Sequence, residues 1–412
     1  MGPLDGLRAL EIGDGGEVTG KLLADAGVDM IRVEPPSGAR SRQTGPFVGD
    51  IPDINTSLHY HYLNTSKRGI TLNLDEPRAQ ELWRNLVNGV DLVIDSTGPD
   101  HLDQRKSGYQ ACSDHQELVW CSITPFGRTG PFRDWKVTDI VSMALGGPPM
   151  SSGYDDHELP PIRSDGEHSF AIAGVYAASA ILAALWQRGS EGVGQLIDLS
   201  MHECISATTE GAFANWEYLQ SIVQRQTGRH ASVDLSAPTQ HQCADGRYVL
   251  LLGGGIPRSR ASWEPLLEWM DEHDAADDLH DPKYIDVIYT DPRSHAQERD
   301  HVADTVARFA RKLTSEEVYR RGQSMRLPWG IVRRPEENLD DPHWSDRNFF
   351  VDGNVHGHEG VVRYPRAPYR FTSSPVGMRS RAPLLGEHNT EIFSELGLQS
   401  DELTELAITG VL

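Results

Sequence analysis

Ser164–His168, SDGEH, sets two carboxylates, Asp165 and Glu167, and an imidazole at the head of an apolar run rich in small residues. What that polar turn does there is the functional question of the chain. Lys67 and Arg68, in NTSKRG, form an adjacent basic pair just before a predicted strand. Such a pair is either a surface loop or a contact to phosphate, with lysine as a point charge and arginine as a fork. Gly13, Gly15, Gly16 and Gly20 follow the first apolar run. A dinucleotide fingerprint requires a glycine at position 18, where the chain has Val18, so no nicotinamide or flavin is expected. The amides of Gly15 and Gly16 at the helix start still suit an anion. Gly253, Gly254 and Gly255 after YVLLL cost chain entropy, which points to a flexible flap near a ligand. Asp139 opens a predicted helix and is either a helix cap or a ligand contact.

The elements that must position these residues are legible. Leu7 to Glu34 reads strand, glycine loop, helix, strand, with Gly27 at the helix C-terminus where a left-handed residue is needed. That βαβ pattern repeats through GITLNL, EPRAQELWRNLV with Pro77 in its first turn, VDLVIDS and LVWCSIT. It predicts a doubly wound, Rossmann-like parallel sheet, an α/β fold. A long helix from about Ser169 to Gln187 carries Ala173, Gly174, Ala177, Ala178, Ala180, Ala183 and Ala184. So many small side chains place it in the middle of a packed core. A strand at Gln195–Leu199 follows, and Ser200 with Glu203 has capping-box spacing, so another helix starts there.

From about Ser232 the character changes. Asp245-Gly246 signals a hairpin, and a polar, helix-prone stretch runs from Trp263 to about Arg321. Within it the acidic run DEHDAADDLHD reads as a solvated face. Gly353 to Phe371 reads as more strand, before a final amphipathic helix. The predicted domains are a large one over 1–225, a smaller α+β one over 226–335, and a segment 336–412 returning to the first.

The 412 residues carry a net charge of −22, which argues against nucleic acid and anionic membranes as partners. Cys112, Cys121, Cys204 and Cys243 lie far apart without a C-x-x-C pair, which predicts free thiols, a reducing compartment and no zinc site. No stretch reads as a signal peptide or reaches the roughly 18–20 apolar residues of a membrane span, so the expectation is a cytoplasmic protein.

Taken together, PLDGLRALEI, LLADAGVDMIRVEPP, NTSKRGITLNL, ITPFGRTGPF, AGVYAASAILAAL, GVGQLIDLSMHE and APLLGEH resemble the family III CoA-transferases over nearly the whole chain. That group includes formyl-CoA, carnitine and benzylsuccinate CoA-transferases, with alpha-methylacyl-CoA racemase as a relative. The resemblance implies an interlocked dimer, with coenzyme A or its thioesters as substrate and no metal. It implies a CoA site lined by the loop of Gly15 and Gly16, by Lys67 and Arg68, and by the region after Asp95 that includes Arg105, with Asp139 beside it. In this class an aspartate attacks the acyl thioester to give a mixed anhydride and CoA thiolate, and the acceptor carboxylate then enters. Aligned on Ala173-Gly174, that aspartate's place holds Phe170. The racemase's proton-transfer positions are likewise vacated, by Thr138 and by the loop from Gly253 to Ile256. Pro35-Pro36 and DSTGP also depart from the family pattern. The expectation is a non-catalytic subunit paired with a homologous chain. The alternative is a self-sufficient transferase, pairing with itself, in which Glu167 or Asp165 is the nucleophile.

Overall fold

A repeated strand–helix pattern needs a parallel sheet covered by helices on both faces. The computed structural model describes residues 1–112, 114–290 and 294–412 and has that arrangement. In chain order its first part runs β1 (Arg8–Ile12), α1 (Glu17–Asp25), β2 (Asp29–Glu34), α2 (Leu58–Leu63), β3 (Lys67–Thr71), α3 (Pro77–Asn88), β4 (Leu92–Asp95) and α4 (His101–Gln104). It continues with β5 (Val119–Thr124), α5 (Asp139–Gly146), α6 (His168–Glu191), β6 (Leu196–Ser200) and α7 (Met201–Ser206). The six strands are all parallel, in the order β3-β2-β1-β4-β5-β6. Sequence order reverses between β1 and β4, and the crevice beyond the strands' carboxyl ends there is where such sheets bind ligands.

Side chains alternate between two apolar layers. On one face Leu10, Ile31, Ile70 and Val93 pack with Leu82, Trp83 and Leu86 of α3 and with Ile392 and Phe393 near the C-terminus. On the other, Ala9, Met30, Leu92, Val119 and Ile123 pack with Leu23 of α1 and with Ala173, Ala177 and Ile181 of α6. The small residues of α6 allow close approach to α1: a Cβ on Gly174 would lie 2.7 Å from Val18 Cβ. Thr19 Oγ1 donates to the Gly174 carbonyl at 3.2 Å. Ser200 Oγ accepts from the Glu203 amide at 3.3 Å, which is the serine half of the expected capping box at the start of α7.

Two expectations for α6 need correction. Only one stripe is buried, while Val175, Tyr176, Leu182 and Trp186 are exposed. Small residues read as burial all round because their spacing marks close contact on one side only. By length and composition α6 is also long and apolar enough to cross a membrane. Its buried stripe against the sheet accounts for the composition as that of a core helix.

The chain divides into two compact units: residues 1–147, 164–208 and 339–412, and residues 148–163 with 209–338. The second thus begins earlier than position 226 and takes in a stretch read above as part of the first. Arg225 explains this locally, since its Nη2 donates to the carbonyls of His157 and Leu159 at 3.0 and 2.6 Å. The second unit has an antiparallel sheet of Gln240–Gln242, Tyr248–Leu251 and Trp329–Ile331. Trp263, Trp269, Phe309 and Trp329 dominate its core.

Candidate active site

The loop between β1 and α1 is held rigidly from below. Arg32 on β2 stands opposite Glu11 on β1 and pairs with it at 3.1 Å, and its Nη1 also donates to the Gly13 carbonyl. Its Nη2 donates to Asp14 at 3.1 Å. Lys67 Nζ donates to both Glu11 oxygens (3.1 and 2.8 Å), the Glu17 carbonyl (3.1 Å) and Asn64 Oδ1 (3.0 Å). Above, the Gly15 amide donates to Ser96 Oγ at 2.9 Å, tying the loops after β1 and β4 across the crevice. Gly13 has φ +86°, and a Cβ there would lie 2.6 Å from the Ser96 backbone, so both conformation and space require glycine.

This geometry corrects the phosphate assignment of Lys67 and Arg68. Lys67 is 2% exposed and its donors are all engaged. Burial lowers its pKa, opposed by Glu11 and Glu17. Arg68 is spent on Asp29 (3.0 and 2.5 Å), Glu391 (2.6 Å) and Glu395 (3.0 Å). A basic pair at the start of the edge strand β3 points one residue toward Glu11 and the other toward Glu391 and Glu395. Adjacency in sequence hides that division.

Beyond the carboxyl ends of β1 and β2 lies a groove of about 320 Å³. Gly13, Asp14, Pro35, Arg40, Asn73, Thr97, His101 and Arg105 line it. Arg105 is there as expected, but its Nε and Nη2 donate to Asp75 at 2.9 and 2.5 Å. His101 is kept below the ordinary histidine pKa by burial and by Arg105. Arg40 is exposed and makes no ion pair among the described residues. Sequence reasoning missed it, although R-S-R after Pro35-Pro36 carried a signal. Arg42 turns inward to Glu34 (2.6 and 2.8 Å) and leaves Arg40 outside.

On the other side of the glycine loop a second cavity of about 320 Å³ brings together Gly15, Val18, Lys21, His59, Tyr62, Glu167, Phe170, Arg366 and Tyr369. Phe170, in the first turn of α6, faces the loop: its Cε1 lies 3.8 Å from where a Cβ on Gly15 would stand. Glu167, the residue before α6, is half exposed and lies 3.7 Å from His59 Nε2. Asp165 does not line this cavity and sits in the exposed turn.

Asp139 sits behind this turn. Its Oδ1 accepts from the backbone amide and the hydroxyl of Ser169, both at 2.8 Å, and both residues are buried. The carboxylate therefore caps α6 from the first residue of α5, which corrects its assignment as a ligand contact and makes it the cap of a different helix from the one expected. The flap assignment of Gly253–Gly255 is corrected as well. Gly254 and Gly255 are buried, and a Cβ on either would lie 2.9 Å from Ala303 or 2.7 Å from Val306. All three have φ between +70° and +79°, so Gly254 and Gly255 serve a packed left-handed turn while Gly253 stays exposed. Gly253 lines a cavity of about 790 Å³ within the second unit.

A doubly wound sheet with a glycine loop at its reversal point, flanked by a groove and an apolar cavity, is an α/β fold with its crevice where such sheets take ligands. The sequence profile of CoA-transferase family III matches residues 4–389, and the chain belongs to that family. It is 31% identical over 401 residues to the succinyl-CoA:(R)-benzylsuccinate CoA-transferase subunit BbsE of Thauera aromatica, covering 97% of this chain and 95% of that one. It is 27% identical over 427 residues to the formyl-CoA:oxalate CoA-transferase of Streptomyces avermitilis, covering 99% of each. A CaiB/BaiF family protein from Brucella suis, solved by crystallography, superposes with a TM-score of 0.79 at 26% identity, covering 96% of this chain and 99% of that one.

Proposed function

We propose that this chain is the non-catalytic subunit of a heteromeric acyl-CoA:carboxylate CoA-transferase of benzylsuccinate CoA-transferase type. The observation that carries the reading is Phe170. It stands in the first turn of α6, where the family resemblance puts the nucleophilic aspartate, with its ring against Gly15. A phenyl ring has no electron pair to attack a thioester, so the mixed anhydride forms on a homologous partner chain. The exposed Val175, Tyr176, Leu182 and Trp186 of α6 support a partner, since large exposed apolar side chains gathered on one helix mark interaction surfaces. We take that partnership to be the interlocked type. The relative from Thauera, itself named as a subunit, supports the same reading.

In this reading CoA lies in the groove at the carboxyl ends of β1 and β2, with Arg40 toward a phosphate. The acyl group enters the cavity beside Phe170. A cytoplasmic location goes with it, supported by four buried cysteines that form no disulfide.

A second reading has its own observation: Glu167 lines the same cavity within 3.7 Å of His59. There Glu167 would attack the thioester and the chain would work alone or as a homodimer. Co-expression with a homologous chain carrying aspartate at the Phe170 position separates the two. The subunit reading predicts transfer only from the mixed complex, with Glu167→Gln harmless in it. Transfer by this chain alone, abolished by Glu167→Gln, would refute it.

A further inference from the structure

Residues 367–375 stand apart from the segment that carries them. Among the described residues no hydrogen bond or ion pair holds any of them, through backbone or side chain. Residues 368–373 are all exposed, and Pro368 and Pro375 have no amide to donate. Both ends, by contrast, are fixed. On one side Val362–Pro365 pairs with Phe350–Gly353, Tyr364 is buried, and the Arg366 amide donates to the Phe349 carbonyl at 2.8 Å. On the other, Val376 is buried and the Gly377 amide donates to the Asp25 carbonyl at 2.9 Å. Arg379 Nη2 then donates to the carbonyls of Ala24 and Val28, at 2.9 and 2.8 Å, around the C-terminus of α1. The two ends also meet. Arg366 Nη2 donates to the Val376 carbonyl at 3.5 Å, and its Nε lies 3.8 Å from where a Cβ on Gly377 would stand. A short surface segment whose ends lie together is an Ω-loop, and Arg366 closes its neck.

This loop borders the cavity beside Phe170. Pro365, Ala367, Pro368 and Tyr369 line it, together with the apolar Val18 and Leu63. Tyr369 and Phe371 pack edge to face with 5.8 Å between ring centroids, yet remain 42% and 54% exposed. Two rings half in water, on a segment without hydrogen bonds, move at little cost and gain burial by closing on an apolar ligand. We infer that residues 367–375 are a lid, which moves on the neck at Arg366 and Gly377 and closes Tyr369 over the acyl group of a bound thioester. Closure of this kind keeps water from the thioester. The inference rests on the reading above for what enters the cavity, and adds how the cavity opens and shuts.

The test is hydrogen–deuterium exchange of the purified full chain, read by mass spectrometry, alone, with CoA and with succinyl-CoA. Without ligand, peptides within 367–376 should exchange at least about tenfold faster than those of the neighbouring strand pair. Succinyl-CoA should slow them, whereas CoA, with no acyl group for the cavity, should leave them unchanged. Arg366→Met, which opens the neck, should abolish that slowing while the strand pair exchanges as in the wild type. Tyr369→Ala should speed succinyl-CoA dissociation about tenfold in stopped flow and leave that of CoA unchanged. A loop that exchanges as slowly as the strand pair without ligand overturns the inference. Equal slowing by CoA and succinyl-CoA does the same, because the loop would then not be closing on the acyl group. So does a loop that ignores succinyl-CoA. If peptides of the glycine loop and of residues 97–105 still respond in that case, the transferase reading stands without the lid; if they too are silent, both fail.

Discussion

The two sides of the glycine loop use charge in opposite ways. Beneath it, Glu11, Arg32 and Lys67 are all but inaccessible to water and bonded to one another and to loop backbone. Beside it, Arg40 borders an open groove with no carboxylate partner among the described residues. The first set fixes a shape and Arg40 is free to meet a ligand. A buried cluster of mutually paired ions cannot lend its charge to a substrate without leaving a partner unpaired. The contrast is therefore testable by removing charges from each side in turn.

The largest effect should come from beneath the loop. Lys67→Met leaves Glu11 with Arg32 as its remaining partner and takes the donor from the Glu17 carbonyl and Asn64 Oδ1, and should destabilise the fold by about 3–5 kcal/mol in denaturant unfolding. Adding Glu11→Leu should not restore that loss, because buried Arg32 then loses its Glu11 partner as well. Next, Arg40→Ala should weaken CoA binding about tenfold by calorimetry while leaving stability unchanged. If Arg40→Ala instead unfolds the chain, or leaves CoA affinity intact, the division between shape and ligand fails.

Asp139→Ala should cost about 1–2 kcal/mol, through loss of the cap on α6 and of the Ser169 hydroxyl's acceptor. Serine at position 139 should recover part of it.

The smallest effect is one of pH. His61 is buried with Nε2 against the Asn55 carbonyl at 2.9 Å, and burial holds its pKa below the ordinary 6.5. The unfolded chain then takes up its proton first. The stability due to neutral His61 is fully present above pH 6.5 and is lost as pH falls through the lower, folded-state value. His61→Gln should flatten that part of the stability profile below pH 6.5.

Much of the scaffold was legible in sequence because it rests on local signals. Strand runs, Pro77 in the first turn of α3, and Ser200 with Glu203 each specify their own element. The site was less legible, because what matters there is which side chains are already engaged. Lys67 looked available beside Arg68 until the sheet placed it against Glu11 and Glu17. Asp139 read as a local cap or a ligand contact, and its acceptor role lies on a helix 30 residues on. Arg40 carries no motif, and only the pairing of its neighbours marks it. Phe170 is the reverse case, where one side chain in a family position raised the central question before any coordinates.

That question has a direct measurement. The purified chain and its Phe170→Asp variant are each incubated with succinyl-CoA and hydroxylamine, and peptides spanning residues 163–188 are read by mass spectrometry. The subunit reading predicts an unmodified wild-type chain, with trapped adduct appearing only in Phe170→Asp, at the substituted position. An adduct on Glu167 in the wild-type chain would contradict it.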